Sequence, residues 1–174
     1  MMIIISLYTV TDGIFIGRFA GSDALAASNI VYPVINLVLG LAIMLASGGS
    51  ALVAKNLGEG KTAAARRRFT LITVTAIALA SALAILAVAA GDGLLFLLGA
   101  SPELLADCRS YLYALLPFFP FAALMILFNA FFIADGRPMQ GFRVSVLAGL
   151  TNAGLDYLFL AHLGLGVFGA GLAT

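Results

Sequence analysis

Five apolar runs of membrane-spanning length, each bounded by glycine, proline or charge, govern what this 174-residue chain can become. A membrane helix needs roughly 20 predominantly apolar residues. Runs that meet or nearly meet that length fall at about 1–20, 27–54, 69–91, 109–134 and 143–162, with a sixth opening near 166. The breaks are Gly21-Ser22-Asp23, Gly58-Glu59-Gly60-Lys61, Gly99-Ala100-Ser101-Pro102-Glu103 and Asp135-Gly136-Arg137-Pro138. The runs are too long for strands and lack the two-residue alternation of a barrel. The prediction is an all-α polytopic membrane protein with five transmembrane helices and the start of a sixth.

Composition excludes the alternatives. The chain is 63% hydrophobic and 10% charged, with a mean hydropathy of +1.13. A water-soluble globule cannot hide so much apolar surface, so lipid is the solvent. A net charge of +1 gives no field that would attract nucleic acid. The single Cys108 rules out a disulfide framework and reads as a small apolar helix residue. His162 has no second metal-type ligand nearby and is expected at a helix end. No Ser-His-Asp, CxxC, HExxH or P-loop pattern is present, so neither soluble-enzyme chemistry nor an organic cofactor is expected. Met1 opens inside an apolar run with no basic segment or cleavage site, so a signal peptide is not expected. The chain reads as a fragment, incomplete at both ends.

The basic residues orient the bundle. Lys55, Lys61, Arg66, Arg67 and Arg68 crowd the loop after the second run, and Arg137 and Arg143 flank the loop after the fourth. The alternate loops hold only Arg18 and Arg109. Seven cations against two make the even loops and the amino terminus of this inner-membrane protein cytoplasmic. Small residues repeat every four positions at Ala42, Ala46, Ser50 and Ala54, at Ala76, Ala80 and Ala84, and at Ser145, Gly149 and Ala153. Such stripes allow close helix approach in lipid. Pro33, Pro117 and Pro120 each free a backbone carbonyl, so the fourth helix is expected to bend.

Six of the eight acidic residues lie in loops or near helix ends; Asp12 and Asp156 do not. An ionised Asp at a membrane-helix centre costs about 2.5–3.5 kcal/mol, so each asks for a function. Asn152 and Asp156 are four apart and share one helix face. Asp12 sits ~12 Å, and Asp156 ~9 Å, inside the outer ends of their helices at 1.5 Å per residue. Tyr111 and Thr174 fall in the same half of the bilayer. Depth alone leaves their lateral positions open. Carboxylate, amide and hydroxyl oxygens form a hard-ligand set suited to Na⁺ at Asp12, Asn152, Asp156 and Thr174, with the Tyr111 phenol oxygen at similar depth. Two carboxylates in a low-dielectric cavity equally favour holding a proton between them. Either event changes the cavity's charge and biases two bundle conformations. The plainer alternative is that each Asp only ties helices together by hydrogen bonding.

The blocks Leu7–Gly21 (LYTVTDGIFIGRFAG), Ala24–Pro33 (ALAASNIVYP), Ser47–Gly60 (SGGSALVAKNLGEG), Asn152–Leu160 (NAGLDYLFL) and Gly166–Thr174 (GVFGAGLAT) run the length of the chain. In order and spacing they resemble the multidrug and toxic compound extrusion (MATE) family, in the bacterial branch of DNA-damage-inducible and staphylococcal-type multidrug pumps. The resemblance implies a twelve-helix antiporter of two six-helix lobes that exports cationic or amphipathic drugs against H⁺ or Na⁺. This chain would be most of the amino-terminal lobe, its partners a small-molecule substrate, the bilayer and the missing carboxy-terminal lobe. The resemblance also implies a cation site at Asp12, Tyr111, Asn152, Asp156 and Thr174, with Tyr113 two residues from the matched Tyr. Gly171 departs from the pattern, standing where a second Ala is common. A lipid-linked oligosaccharide flippase of the same superfamily architecture is the alternative, but it would be expected to line its cavity with Arg and Lys rather than acids. An intramembrane aspartyl enzyme would need Asp in a setting that neither Asp12 nor Asp156 has. A half-length scaffold without transport activity is the last alternative.

Overall fold

The computed structural model describes residues 10–173, and among these all the regular structure is helical, with no strand. Helix α1, residues 10–20, runs as α-helix to residue 15 and closes in a π-helical turn, Ile16–Ala20. Then follow α2 (Ser22–Gly58), α3 (Thr62–Leu97), α4 (Leu105–Leu115), α5 (Phe119–Ala134) and α6 (Pro138–Asp156). A second π-helical segment, Tyr157–His162, extends α6, and α7 occupies Gly166–Ala173. Four helical stretches are long and apolar enough to cross a membrane: Ser22–Gly58, Thr62–Leu97, Leu105–Ala134 and Pro138–His162. Each contains one expected run. The start expected near 166 is α7, while residues 1–9 of the expected first helix lie outside the described residues.

The helices outrun the apolar segments that announce them. Backbone hydrogen bonding continues past the hydrocarbon into residues such as Lys55 and Asn56, which are polar and still helical. The expected end of the third helix at 91 coincides with Gly91, whose backbone is non-helical at φ 53°, ψ −136°; helix then resumes to Leu97. The expected bend of the fourth helix is a 3₁₀ turn, Leu116–Phe118, carrying Pro117 and separating α4 from α5. Pro120 sits in the first turn of α5, where its missing N–H costs nothing. The turns after α2 and α5 close alike: Lys61 N–H donates to Asn56 at 2.8 Å and Arg137 N–H to Phe132 at 2.8 Å. Gly60 and Gly136 supply the positive φ of 73° that this helix-ending geometry requires.

The chain divides into two compact units. The first comprises the described residues of 1–34, 86–117 and 145–174, and its core contains Ile16, Ala27, Val31, Leu95, Cys108 and Leu112. Cys108 is buried with its Sγ 4.0 Å from the Ala27 carbonyl, as a small apolar-type residue should be. At this unit's surface Arg109 pairs bidentately with Asp92. The second unit comprises 35–85 and 118–144. Its small residues Ala42, Ala76, Ala80 and Ala123 are buried, so two of the four-residue stripes do serve close approach. The Ser145, Gly149 and Ala153 stripe is only half-buried.

Candidate functional site

The candidate site lies wholly in the first unit. Its frame is α7, which packs on α4 and on both π-helical segments, while those segments touch each other. Small residues let α7 come so close. A Cβ added to Gly171 would stand 2.7 Å from Ala114 Cβ and 2.9 Å from the Tyr111 carbonyl oxygen, distances that atoms do not tolerate. The glycine at this position, where alanine was the expected pattern, is therefore a requirement of this packing.

Asp156 is the last residue of α6 and directly precedes the π-helical segment that follows, without a side-chain capping bond to it. Its side chain is fully buried, at 0% exposure. Neither carboxylate oxygen accepts a hydrogen bond from the described residues. The group is desolvated and lies within Coulombic reach of Asp12, a charge of the same sign. Asp12 is half-buried on α1, four residues before the other π-helical turn. A π-turn inserts one extra residue and redirects the side chains around it; such turns are frequent at functional sites. Here Asp156 immediately precedes one, and Asp12 lies four residues before the other.

One turn before Asp156, Asn152 is buried and donates from Nδ2 to the Ala173 carbonyl at 2.7 Å. That bond fixes which way the amide faces and ties α6 to α7. Tyr111, on α4, is 2% exposed, whereas Tyr113 is 41% exposed. Of the two tyrosines, the buried one borders α7. The fifth expected ligand, Thr174, lies outside the described residues, although its neighbour Ala173 is in the contact with Asn152. His162 is exposed at the end of its helix. Among the described residues no group of three His, Cys, Asp or Glu side chains is placed to hold a metal.

The structure thus brings Asp156 and Asp12 within electrostatic reach, and sets Asn152 and Tyr111 on the two helices that grip α7. Sequence reasoning missed the π-turns, because a five-residue hydrogen-bond step leaves no hydrophobic period of its own. It also missed that Asn152 bridges two helices. Chemically, a buried carboxylate without a donor, within Coulombic reach of a second carboxylate, is stable only when positive charge is brought to it. A proton or a small hard cation would do so.

Comparisons with known proteins agree on one family. The MatE family model matches residues 1–158. The multidrug export protein MepA of Staphylococcus saprophyticus is 25% identical over 177 residues, covering 99% of this chain and 39% of that protein. A crystal structure of a MATE protein in complex with MaD3S superposes with a TM-score of 0.92 at 27% identity, over 99% of this chain and 39% of the other. A multidrug resistance MATE family transporter of the MOP superfamily matches at 0.90 in its outward-facing conformation, over 99% of this chain, and at 0.83 in its inward-facing one, over 97%. In both cases the chain covers 38% of that transporter, at 27% identity. The chain spans about two fifths of the length of the relatives it matches.

Proposed function

Because this chain belongs to the MatE family, a family of multi-pass membrane transporters rather than enzymes, we propose that it forms the cation-coupling lobe of a secondary antiporter. The complete protein exports cationic or amphipathic compounds in exchange for H⁺ or Na⁺, alternating between outward- and inward-facing states. Its amino terminus is cytoplasmic, by the seven-to-two bias of basic residues between alternate loops. One observation carries the coupling role: the fully buried Asp156 carboxylate has no hydrogen-bond donor among the described residues and lies within Coulombic reach of Asp12.

Asp156 and Asp12 supply the charge that the cation neutralises, Asn152 and Tyr111 supply neutral oxygens, and Thr174 completes the set. Neutralising the pair removes a repulsion between the two π-turned helices that meet α7. A shift in helix arrangement then follows cation occupancy, and differential affinity of that kind is what links two transport states. The acidic sign of the mid-membrane charges argues against a flippase for pyrophosphate-bearing lipids, which would need cations there.

The test is drug efflux from everted membrane vesicles carrying the complete protein, driven separately by a proton and by a sodium gradient. Asp12→Asn and Asp156→Asn are each expected to abolish the gradient-driven component. Undiminished gradient-driven efflux in both variants would sink the coupling role.

A further inference from the structure

Within the second unit, the chain gathers charge of one sign at one level. Lys55, Lys61, Arg66, Arg67, Arg68, Arg137 and Arg143 stand there against only Glu59 and Asp135. Phe69 sets the level: its ring lies 4.8 Å from that of Phe131 and 6.1 Å from that of Phe128. The start of α3 therefore lies beside the last turns of α5, just before Asp135. The start of α6 joins them, since Gly141 lies against Asn129 and Phe132, two residues before Arg143.

The two acids are already engaged. Glu59 meets Lys61 at 2.7 Å and Lys55 at 4.0 Å, and Asp135 meets Arg137 at 3.3 Å. Among the described residues Arg66, Arg67, Arg68 and Arg143 enter no ion pair. All four are exposed. Near the amino-terminal end of α3 the arginines gain nothing from the helix dipole, which favours anions there. Consecutive residues point about 100° apart around the axis, so Arg66–Arg68 fan over more than half of the helix.

What lies beneath them indicates the partner. Arg67 stands one and two turns from Leu71 and Val74 on its own face, and these are 66% and 57% exposed. An arginine above an exposed aliphatic stripe, at the end of a helix long enough to span a bilayer, fits a phosphate headgroup whose acyl chain lies along that stripe. We propose that this collar is a binding surface for anionic phospholipid, with Arg66, Arg67 and Arg68 as the principal headgroup contacts and Arg143 as an accessory one. Charge complementarity and the adjoining apolar face point to lipid rather than to free phosphate, which would use only the arginines.

The test titrates the complete protein carrying this chain, delipidated in neutral detergent, with phosphatidylglycerol and with phosphatidylcholine of matched chains, counting bound lipid by native mass spectrometry. The wild type is expected to prefer phosphatidylglycerol. Arg67→Gln, an exposed change, lowers that preference by up to about fivefold. The triple variant R66Q/R67Q/R68Q lowers it further, and R66K/R67K/R68K retains most of it because surface attraction follows charge. Equimolar inorganic phosphate leaves the preference in place. The proposal is overturned if the wild type shows no preference, if neither glutamine variant lowers it, or if equimolar phosphate abolishes it.

Discussion

Asn152 donates from its amide nitrogen to the Ala173 carbonyl at 2.7 Å, joining α6 to α7 one turn before the buried Asp156. The bond makes the position of α7 and the orientation of the Asn152 amide one structural fact. It also accounts for an Asn at a buried membrane-helix position by something firmer than depth.

Asn152→Leu keeps the volume and removes the donor, leaving the Ala173 carbonyl buried without it. A buried group so orphaned costs about 1–3 kcal/mol. The thermal midpoint of the complete protein should fall accordingly, and cation affinity should fall with it. An unchanged midpoint would show that the bond is incidental.

Asp156→Asn should behave in the opposite sense for stability. It removes an uncompensated charge from a site where the described residues give it no donor. In cation-free buffer the variant is expected to melt at or above the wild-type temperature while gradient-driven efflux is lost. A variant that melts well below wild type would mean that Asp156 chiefly ties helices together.

Ligand linkage gives a third outcome. A cation that binds only the folded site stabilises it by about 2.7 kcal/mol at one hundred times its dissociation constant. Melting of the wild type should therefore rise with the coupling cation, and that rise should be absent in Asp156→Asn and reduced in Asp12→Asn. Equal rises in all three proteins would place cation binding elsewhere.

Two glycines should respond differently to alanine. At Gly171 the obstacles are Ala114 Cβ at 2.7 Å and the Tyr111 carbonyl oxygen at 2.9 Å, neither of which can turn aside. At Gly49 the close atoms are all in the Ile72 side chain, Cδ1 at 2.8 Å and Cγ2 at 3.0 Å, with no backbone among them, so a smaller local shift suffices. Gly171→Ala is expected to cost about 1–3 kcal/mol, the usual range for overpacking, and to weaken cation binding. Gly49→Ala should cost less and leave binding intact. Equal losses in paired melting curves would contradict the close approach of α7.

Much of this was legible from the chain. Runs of some twenty apolar residues permit little but membrane helix, and the breaks at Gly60-Lys61 and Gly136-Arg137 carry the residues that a helix end needs. Pro117 announced a bend in the fourth helix, because a proline cannot donate the bond that would continue it; that the bend is a 3₁₀ turn came from the structure. Helix ends were less legible: hydropathy marks the hydrocarbon boundary, whereas hydrogen bonding carried α2 on to Gly58. The acids of the site were legible because charge is costly in lipid. Their setting was not. The π-turns after Asp12 and Asp156 are decided by tertiary packing against α7, and the same packing explains Gly171, which in the sequence was only a departure from pattern.

The most direct test of the coupling site is cation stoichiometry in the purified complete protein, measured as bound radioactive sodium and, in the same preparation, as proton uptake or release. The account predicts one cation per protein in the wild type and in Asp23→Asn, an exposed carboxylate outside the site. It predicts none in Asp156→Asn. A full complement of bound cation in Asp156→Asn would contradict it.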